Sequence, residues 1–153
     1  MKPVTQLIVD DKKGDCLRAA VCSLLELEID KVPNFAELDF FTGLDAWLAK
    51  RNQRFIRIGI PTGEYYKNES GTAFSHKALW FGYAGQEGNP DCMLVWGIGP
   101  RFDASGKRRQ HVVVGRANGY GVEVIHDPHE SRAGLVEIWG FGWIVPMEIG
   151  QQQ

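Results

Sequence analysis

The chain has 153 residues, of which 44% are hydrophobic and 24% are charged. This length fits one globular domain, since domains most often contain about 100–150 residues, and the apolar share excludes a disordered or fibrous chain. Lys and Arg total 17 against 19 Asp and Glu, a formal net charge of −2, so no basic excess favours DNA or RNA as a partner. Three cysteines are too few, and odd in number, for a secreted disulfide scaffold.

The N-terminal residues do not resemble a targeting signal. Asp10 and Asp11 interrupt the sequence before an apolar run of signal-peptide length develops. No stretch approaches the roughly 20 apolar residues that span a bilayer. We therefore expect a cytoplasmic protein with reduced thiols and no membrane partner. We also expect a single domain over residues 1–150 and a disordered polar tail at 151–153.

Helical periodicity is confined to the first third of the chain. An apolar stripe with the spacing of one buried helical face predicts a helix over residues 16–27, and it consists of Leu17, Ala20, Val21, Leu24 and Leu25. Asp15 stands in the N-cap position of this helix. A second helix is predicted over residues 43–52, where Thr42 and Asp45 have the spacing of a capping box.

Beyond residue 52 the hydrophobic period changes to that of β-strands. The strand-like runs cover residues 55–60, 77–83, 92–98, 110–116, 120–126 and 135–145. Asn118-Gly119 predicts a hairpin between two of them, and two glycines in the last run predict a bulge. Long loops are expected at about 61–76 and 99–109, and the second is basic. Helices followed by such strands predict an α+β fold, with N-terminal helices packed on a mainly antiparallel sheet.

Three residues of complementary chemistry occupy element ends. Cys16 lies in the first turn of the first helix, where the positive end of the helix dipole favours a thiolate. His111 begins a strand, and Asp127 ends the strand paired with it. Positions equidistant from Asn118-Gly119 place His111 opposite His126, and a one-residue bulge or a longer loop would bring Asp127 beside His111. A thiolate attacks a carbonyl, an imidazole transfers the proton and a carboxylate orients the imidazole.

The cysteine segment resembles the cysteine-helix motif of papain-like peptidases. The likeness is greatest to the compact bacterial and phage branch that includes bacteriocin-leader-processing peptidases, and it rests on Gly14–Ala20, Ser23–Leu25 and Val32–Pro33. His111–Gly115 and His126–Pro128 resemble the histidine strand and the aspartate-proline strand end of that branch. The resemblance implies a papain-like fold and a thiol-dependent hydrolase acting on a peptide or protein substrate.

The resemblance also implies the role of each site residue. Cys16 would be the nucleophile of a peptidase, amidase or isopeptidase that forms a thioester, His111 its base and Asp127 the group that orients the base. An upstream glutamine would stabilise the oxyanion together with the Cys16 backbone N–H, and Gln6 is the only glutamine upstream of Cys16. No cofactor is expected.

Other interpretations of the same residues remain open. Transglutaminase-like and arylamine-acetyltransferase-like enzymes share the order Cys, His, Asp, and an inactive member would use the same cleft to bind peptides. His126 and His129 permit a zinc site, although no second ligand pair accompanies them, so we expect no metal. Cys22 and Cys92 fit packing roles. The basic loop beside His111 could contact a carboxylate of a substrate.

Overall fold

The computed structural model describes residues 1–10, 12–59, 92–117 and 122–147. The helices are α1 (Cys16–Leu25) and α2 (Phe41–Ala49), with 3-10 turns at Ile29–Lys31 and Phe35–Glu37 between them. The strands are β1 (Gln53–Gly59), β2 (Met93–Phe102), β3 (Arg108–Ala117), β4 (Val122–His126) and β5 (Glu137–Pro146). The predicted strand 77–83, the predicted loop 61–76 and the tail 151–153 lie outside the described residues.

Both predicted helices are present, but their boundaries differ from the prediction: α1 ends two residues earlier than expected, and α2 begins two residues earlier and ends three residues earlier. Helix α1 stops at Leu25 because Glu26 takes a left-handed conformation, with φ 54° and ψ 38°, and its N–H bonds back to the Cys22 carbonyl. The predicted capping box of α2 is wrong, since no side chain caps this helix. Asp45 instead accepts a hydrogen bond of 2.8 Å from Arg57 of β1. In the described ranges no helix is long and apolar enough to cross a membrane.

The five strands form one antiparallel sheet in the order β1-β5-β2-β3-β4. Together with the helices, this confirms the predicted α+β class with a mainly antiparallel sheet. The last strand, β5, inserts between β1 and β2. Strand β2 extends to Phe102 and β3 begins at Arg108, so the predicted loop 99–109 shrinks to residues 103–107. Both ends of the predicted loop therefore belong to strands of the sheet, residues 99–102 to β2 and residues 108–109 to β3.

Both faces of the central strands are buried. Helices α1 and α2 pack on one face, over a cluster that includes Leu17, Val21, Phe35, Leu44, Leu48, Leu94 and Val114. The opposite face carries a second buried cluster, which includes Met93, Val95, Val113, Val122, Leu135, Ile138, Phe141 and Trp143. Residues on a strand alternate between faces, so burial on both sides explains the continuous apolar runs of β2 and β3.

Strand β5 contains the predicted bulge. Trp96 pairs with Gly140 while the next residue, Gly97, pairs with Ile138, so Trp139 is an extra residue opposite β2. The two backbones are close at this point, and a methyl group added to Gly97 would overlap the carbonyl oxygen of Glu137. Glycine is therefore required at position 97 by the close approach of a neighbouring strand.

We expect Gly97→Ala to lower the free energy of unfolding by about 2–3 kcal/mol, because the added carbon must displace backbone atoms of β5. Gly59→Ala is the matched control, since a methyl group there meets no atom within 4 Å. Urea denaturation of the two variants measures the difference. Equal stability of the two variants would contradict the close approach.

The pairing of β3 with β4 corrects the predicted register. His126 lies opposite Val114 rather than opposite His111. Ala117 pairs with Val122, which displaces the register by two positions from the predicted one, and Ile125 is an extra residue in β4 that adds a third. A bulge is one of the two ways in which Asp127 was predicted to approach His111. The predicted turn at Asn118-Gly119 lies outside the described residues.

Candidate active site

Cys16 is the first residue of α1 and remains partly exposed. The apolar stripe of α1 starts one residue later, at Leu17, and anchors the helix on the sheet. Helix α1 packs against β3, and its first residue, Cys16, is close enough to His111 to influence that imidazole. A thiol in this position combines solvent access with the positive end of a helix dipole, as a reactive cysteine requires.

His111 and Asp127 form a buried hydrogen-bonded pair. The distance from His111 Nε2 to Asp127 Oδ1 is 2.6 Å, and each residue is only 3% exposed. Asp127 Oδ1 also accepts the N–H of His129 at 2.8 Å, and Oδ2 accepts the N–H of Gly134 at 2.7 Å. Three donors therefore hold the carboxylate in one orientation against the imidazole.

The corrected register explains how Asp127 reaches His111. β4 ends at His126, opposite Val114, and Asp127 is the next residue. Because the two strands are antiparallel, the chain leaves β4 toward the start of β3, where His111 lies. The side chains of Asp127 and His111 meet at that end of the strand pair.

The electrostatics of the pair favour a charged imidazole. Burial of the ring opposes the charged form, but hydrogen bonds to Asp127 and Cys16, with the charges of the same two groups, outweigh it and raise the pKa of His111 from 6.5 to about 9. Burial acts to raise the pKa of Asp127, yet the bonds from His111, His129 and Gly134 hold it below its usual value. Since Nε2 is bonded to Asp127, Nδ1 is the ring nitrogen left for Cys16.

Asp15 has a role that the sequence did not reveal. It occupies the N-cap position, but its side chain makes no capping bond. Its fully buried carboxylate accepts the N–H groups of Leu7 and Ile8 at 3.0 and 2.9 Å, and its own N–H donates to the Ile8 carbonyl. Asp15 therefore ties the N-terminal segment, residues 1–10, to the start of α1.

This tie brings Gln6 to the start of α1 across the ten residues that separate it from Cys16. Gln6 Nε2 donates to the Ile8 carbonyl at 2.9 Å, and the Asp15 N–H donates to the same oxygen at 3.2 Å. The two donors are neighbours because they share an acceptor. An amide nitrogen carries two hydrogens, and no described residue accepts the second hydrogen of Gln6 Nε2.

The N-terminal segment is also held to the end of β4. His126 Nε2 bonds with the Val4 carbonyl at 2.8 Å, and the Gln6 N–H donates to the Pro128 carbonyl at 2.9 Å. Arg132 donates to the Asp127 carbonyl and to Thr5 Oγ1. The contacts made by Val4, Thr5 and Gln6 join residues more than a hundred positions apart, so no local pattern in the sequence marked them.

The histidines considered for zinc have other partners. His126 bonds with the N-terminal segment, and His129 Nδ1 lies 2.9 Å from Ser131 Oγ. The ring of His129 stands edge-on to that of His111, with centroids 6.5 Å apart. Over the described ranges, no group of three or more His, Cys, Asp or Glu side chains could hold a metal ion.

The other two cysteines differ from Cys16 in their surroundings. Cys22 is fully buried in the cluster beneath α1, and this burial raises the pKa of its thiol to about 11. Cys92 packs against the same cluster.

No protein-family model, curated protein or solved structure matches this chain. The chemistry of the site is therefore judged from its geometry: a partly exposed thiol, an imidazole and a buried carboxylate in sequence.

Proposed function

We propose that this protein is a thiol-dependent hydrolase of amide bonds with a papain-like fold, acting as a peptidase, amidase or isopeptidase. Cys16 is the nucleophile, His111 the proton carrier and Asp127 the group that orients the imidazole. The observation that carries the proposal is the His111–Asp127 bond of 2.6 Å in a buried setting where Cys16 also acts on the ring. A histidine with only a structural role would not require a thiol near its ring.

The reaction follows from these positions. The Cys16 proton passes to His111 Nδ1, and the sulfur attacks the carbonyl carbon of the amide to form a C–S bond. The C–N bond then breaks, and the imidazolium of His111 gives its proton to the leaving amine. Water, deprotonated by His111, attacks the resulting thioester, releasing a carboxylic acid and restoring the thiol.

The oxyanion of each tetrahedral intermediate needs donors beside Cys16. In the proposed enzyme these are the Cys16 backbone N–H and the amide of Gln6. The shared acceptor Ile8 supports this role, since it holds Gln6 Nε2 next to the Asp15 N–H with a second amide hydrogen to donate. Asp15 is the positioning residue that keeps the Gln6 segment against α1.

Selective alkylation of Cys16 tests the proposal without a known substrate. At about pH 6 an ordinary thiol is almost entirely protonated and reacts slowly. We expect a limiting dose of iodoacetamide to modify Cys16 at least about tenfold faster than Cys22 and Cys92, because Cys16 is the thiol for which we propose His111 as the proton acceptor. Peptide mass spectrometry of the digested protein reads the extent of labelling at each cysteine.

Two histidine variants make the test specific. His111→Ala should abolish the preference for Cys16, whereas His129→Ala should retain it, since His129 lies beside the pair without bonding to His111. Circular dichroism establishes that both variants are folded. Equal labelling of the three cysteines in the folded wild-type protein would exclude an activated thiol and leave the peptide-binding interpretation.

A further inference from the structure

Arg101 lies beside the proposed site at the end of β2. It precedes Phe102, which pairs with Arg108 of β3, and it lies close enough to Arg109 for the two charges to interact. Arg101 Nη1 is 3.5 Å from Ser131 Oγ, and Ser131 is bonded to His129. The guanidinium therefore reaches the loop that follows Asp127.

The charge of Arg101 interacts with several ionisable groups of the site. Burial and the neighbouring Arg109 lower the pKa of Arg101, whereas the charges of Asp127 and Cys16 act to raise it. Arg101 also contributes, after burial, to the lowered pKa of His129. The guanidinium thus lies within electrostatic range of both the proposed nucleophile and the carboxylate that orients its base.

The hydrogen-bonding capacity of Arg101 is largely unused. A guanidinium has five N–H donors, and the bond to Ser131 is the one that Arg101 makes among the described residues. Its Nε is buried, and no described residue accepts its hydrogen. Buried donors without a partner are costly and rare in native proteins. A bound anion would satisfy them, and a carboxylate fits the planar fork of arginine.

We propose that Arg101 binds a substrate carboxylate adjacent to the scissile amide, so that the preferred substrates are acidic peptides or peptides cut beside a free carboxyl terminus. This inference rests on the proposed function, because it places the carboxylate relative to Cys16. It also assigns a role to one basic residue near His111 in a chain of net charge −2. The alternative is that Arg101 serves only to stabilise the Cys16 thiolate.

Iodoacetate and iodoacetamide distinguish these roles. Both reagents transfer a two-carbon group to the thiolate and release iodide, but iodoacetate carries a carboxylate where iodoacetamide carries a neutral amide. The ratio of their rates at Cys16, divided by the same ratio for glutathione, measures attraction of the carboxylate. We expect a ratio above one in the wild-type protein and a decrease of about tenfold in Arg101→Gln.

Arg108→Gln is the matched control. It removes the same charge from the same end of the sheet, but Arg108 is exposed and stacks on Phe102, so we expect its ratio to stay within about twofold of the wild type. Added salt should also reduce the ratio in the wild-type protein. That measurement tests the attraction even if Arg101→Gln fails to fold.

The outcomes separate this inference from the proposed function. A carboxylate site is supported if the normalised ratio of the iodoacetate rate to the iodoacetamide rate falls in Arg101→Gln while the iodoacetamide rate itself is unchanged. A normalised ratio at or below one in the wild-type protein, an unchanged ratio in Arg101→Gln, or an equal fall of both rates, overturns it. Failure of iodoacetamide to select Cys16 in the wild-type protein instead overturns the proposed function.

Three chloroacetyl reagents identify the source of the carboxylate. Chloroacetylglycine presents a terminal carboxylate, chloroacetylglutamic acid α-amide presents an acidic side chain, and chloroacetylglycinamide is the neutral reference. Faster labelling of Cys16 by the first reagent assigns the site to a chain terminus, and faster labelling by the second assigns it to an acidic residue. If neither exceeds the neutral reagent, no substrate carboxylate is bound.

Discussion

Asp127→Asn is expected to slow the alkylation of Cys16 by iodoacetamide at about pH 6 by at least about tenfold, because Asp127 is one of the two groups that raise the pKa of His111 from 6.5 to about 9. In the proposed enzyme the loss follows from the charge of Asp127, which stabilises the charged imidazole of His111. Without that charge, His111 is a weaker acceptor of the thiol proton, and a neutral thiol is a poor nucleophile.

Asparagine has the shape of aspartate but cannot replace its hydrogen bonds. Asp127 Oδ1 accepts from His111 and from the His129 N–H, and Oδ2 accepts from the Gly134 N–H. Either orientation of an asparagine amide directs its NH₂ group at one of these donors. We therefore expect a lower free energy of unfolding as well, by about 1–3 kcal/mol.

Asp45→Asn is the matched control for this variant. It removes one carboxylate charge from a partly exposed pair with Arg57, remote from Cys16 along the sheet, and should leave the alkylation rate within about twofold of the wild type. Thermal unfolding establishes that each variant is folded at the assay temperature. A folded Asp127→Asn protein with the wild-type alkylation rate would show that Asp127 does not act through His111.

We expect the free energy of unfolding to decrease by about 2–3 kcal/mol as the pH rises from about 6.5 to 9, because of His111 alone. The pKa of His111 is raised in the folded protein, to about 9 from 6.5, so the folded state holds the proton more tightly. The stabilisation is fully present below the unfolded pKa and is lost as the pH rises through the folded pKa.

Asp127 changes the free energy of unfolding with pH in the opposite direction. Its pKa is held low in the folded protein, so its stabilisation is present above its usual pKa of 3.8 and is lost as the pH falls through the folded value. Stability should therefore be greatest on the plateau between these two transitions. Above pH 9 the buried Cys22 thiol, with a pKa of about 11, adds a further decrease, so the His111 effect is measured below that pH.

Urea denaturation at several pH values gives the comparison. His111→Gln should remove the slope between about pH 6.5 and 9. His126→Gln, which replaces a second histidine of the same hairpin, should keep that slope despite losing its bond to the Val4 carbonyl. A wild-type stability that is constant over this range would mean that the imidazole gains no charged partner on folding.

The pairing of β3 with β4 was predicted from the sequence, but the register of that pairing was not. The Asn-Gly signal and the apolar runs identified two neighbouring strands, because alternation is a property of adjacent residues. They did not place His126 opposite Val114, since the register depends on the bulge at Ile125 and on burial of both sheet faces. The end of β4, and with it Asp127, thereby lies near the His111 end of β3.

The start of α1 is a second place where preferences of neighbouring residues did not predict the contacts of a side chain. Capping preferences predicted a side-chain cap from Asp15, which the structure replaces by bonds to Leu7 and Ile8. Similarly, Asp45 pairs with Arg57 instead of capping α2. A carboxylate bonds with whichever donors folding brings near, and in both cases those donors come from a different segment of the chain.

By itself, the sequence determined the α+β class, the position of Cys16 at the first turn of a helix and the strands that carry His111 and lead to Asp127. These features depend on hydrophobic periods and turn residues that neighbours in the chain supply. Only the tertiary structure decided that Asp127 bonds with His111, that Gln6 returns to the start of α1 and that Arg101 lies beside the site. Those contacts depend on strand register, bulges and the burial of charged groups, which involve residues far apart in the chain.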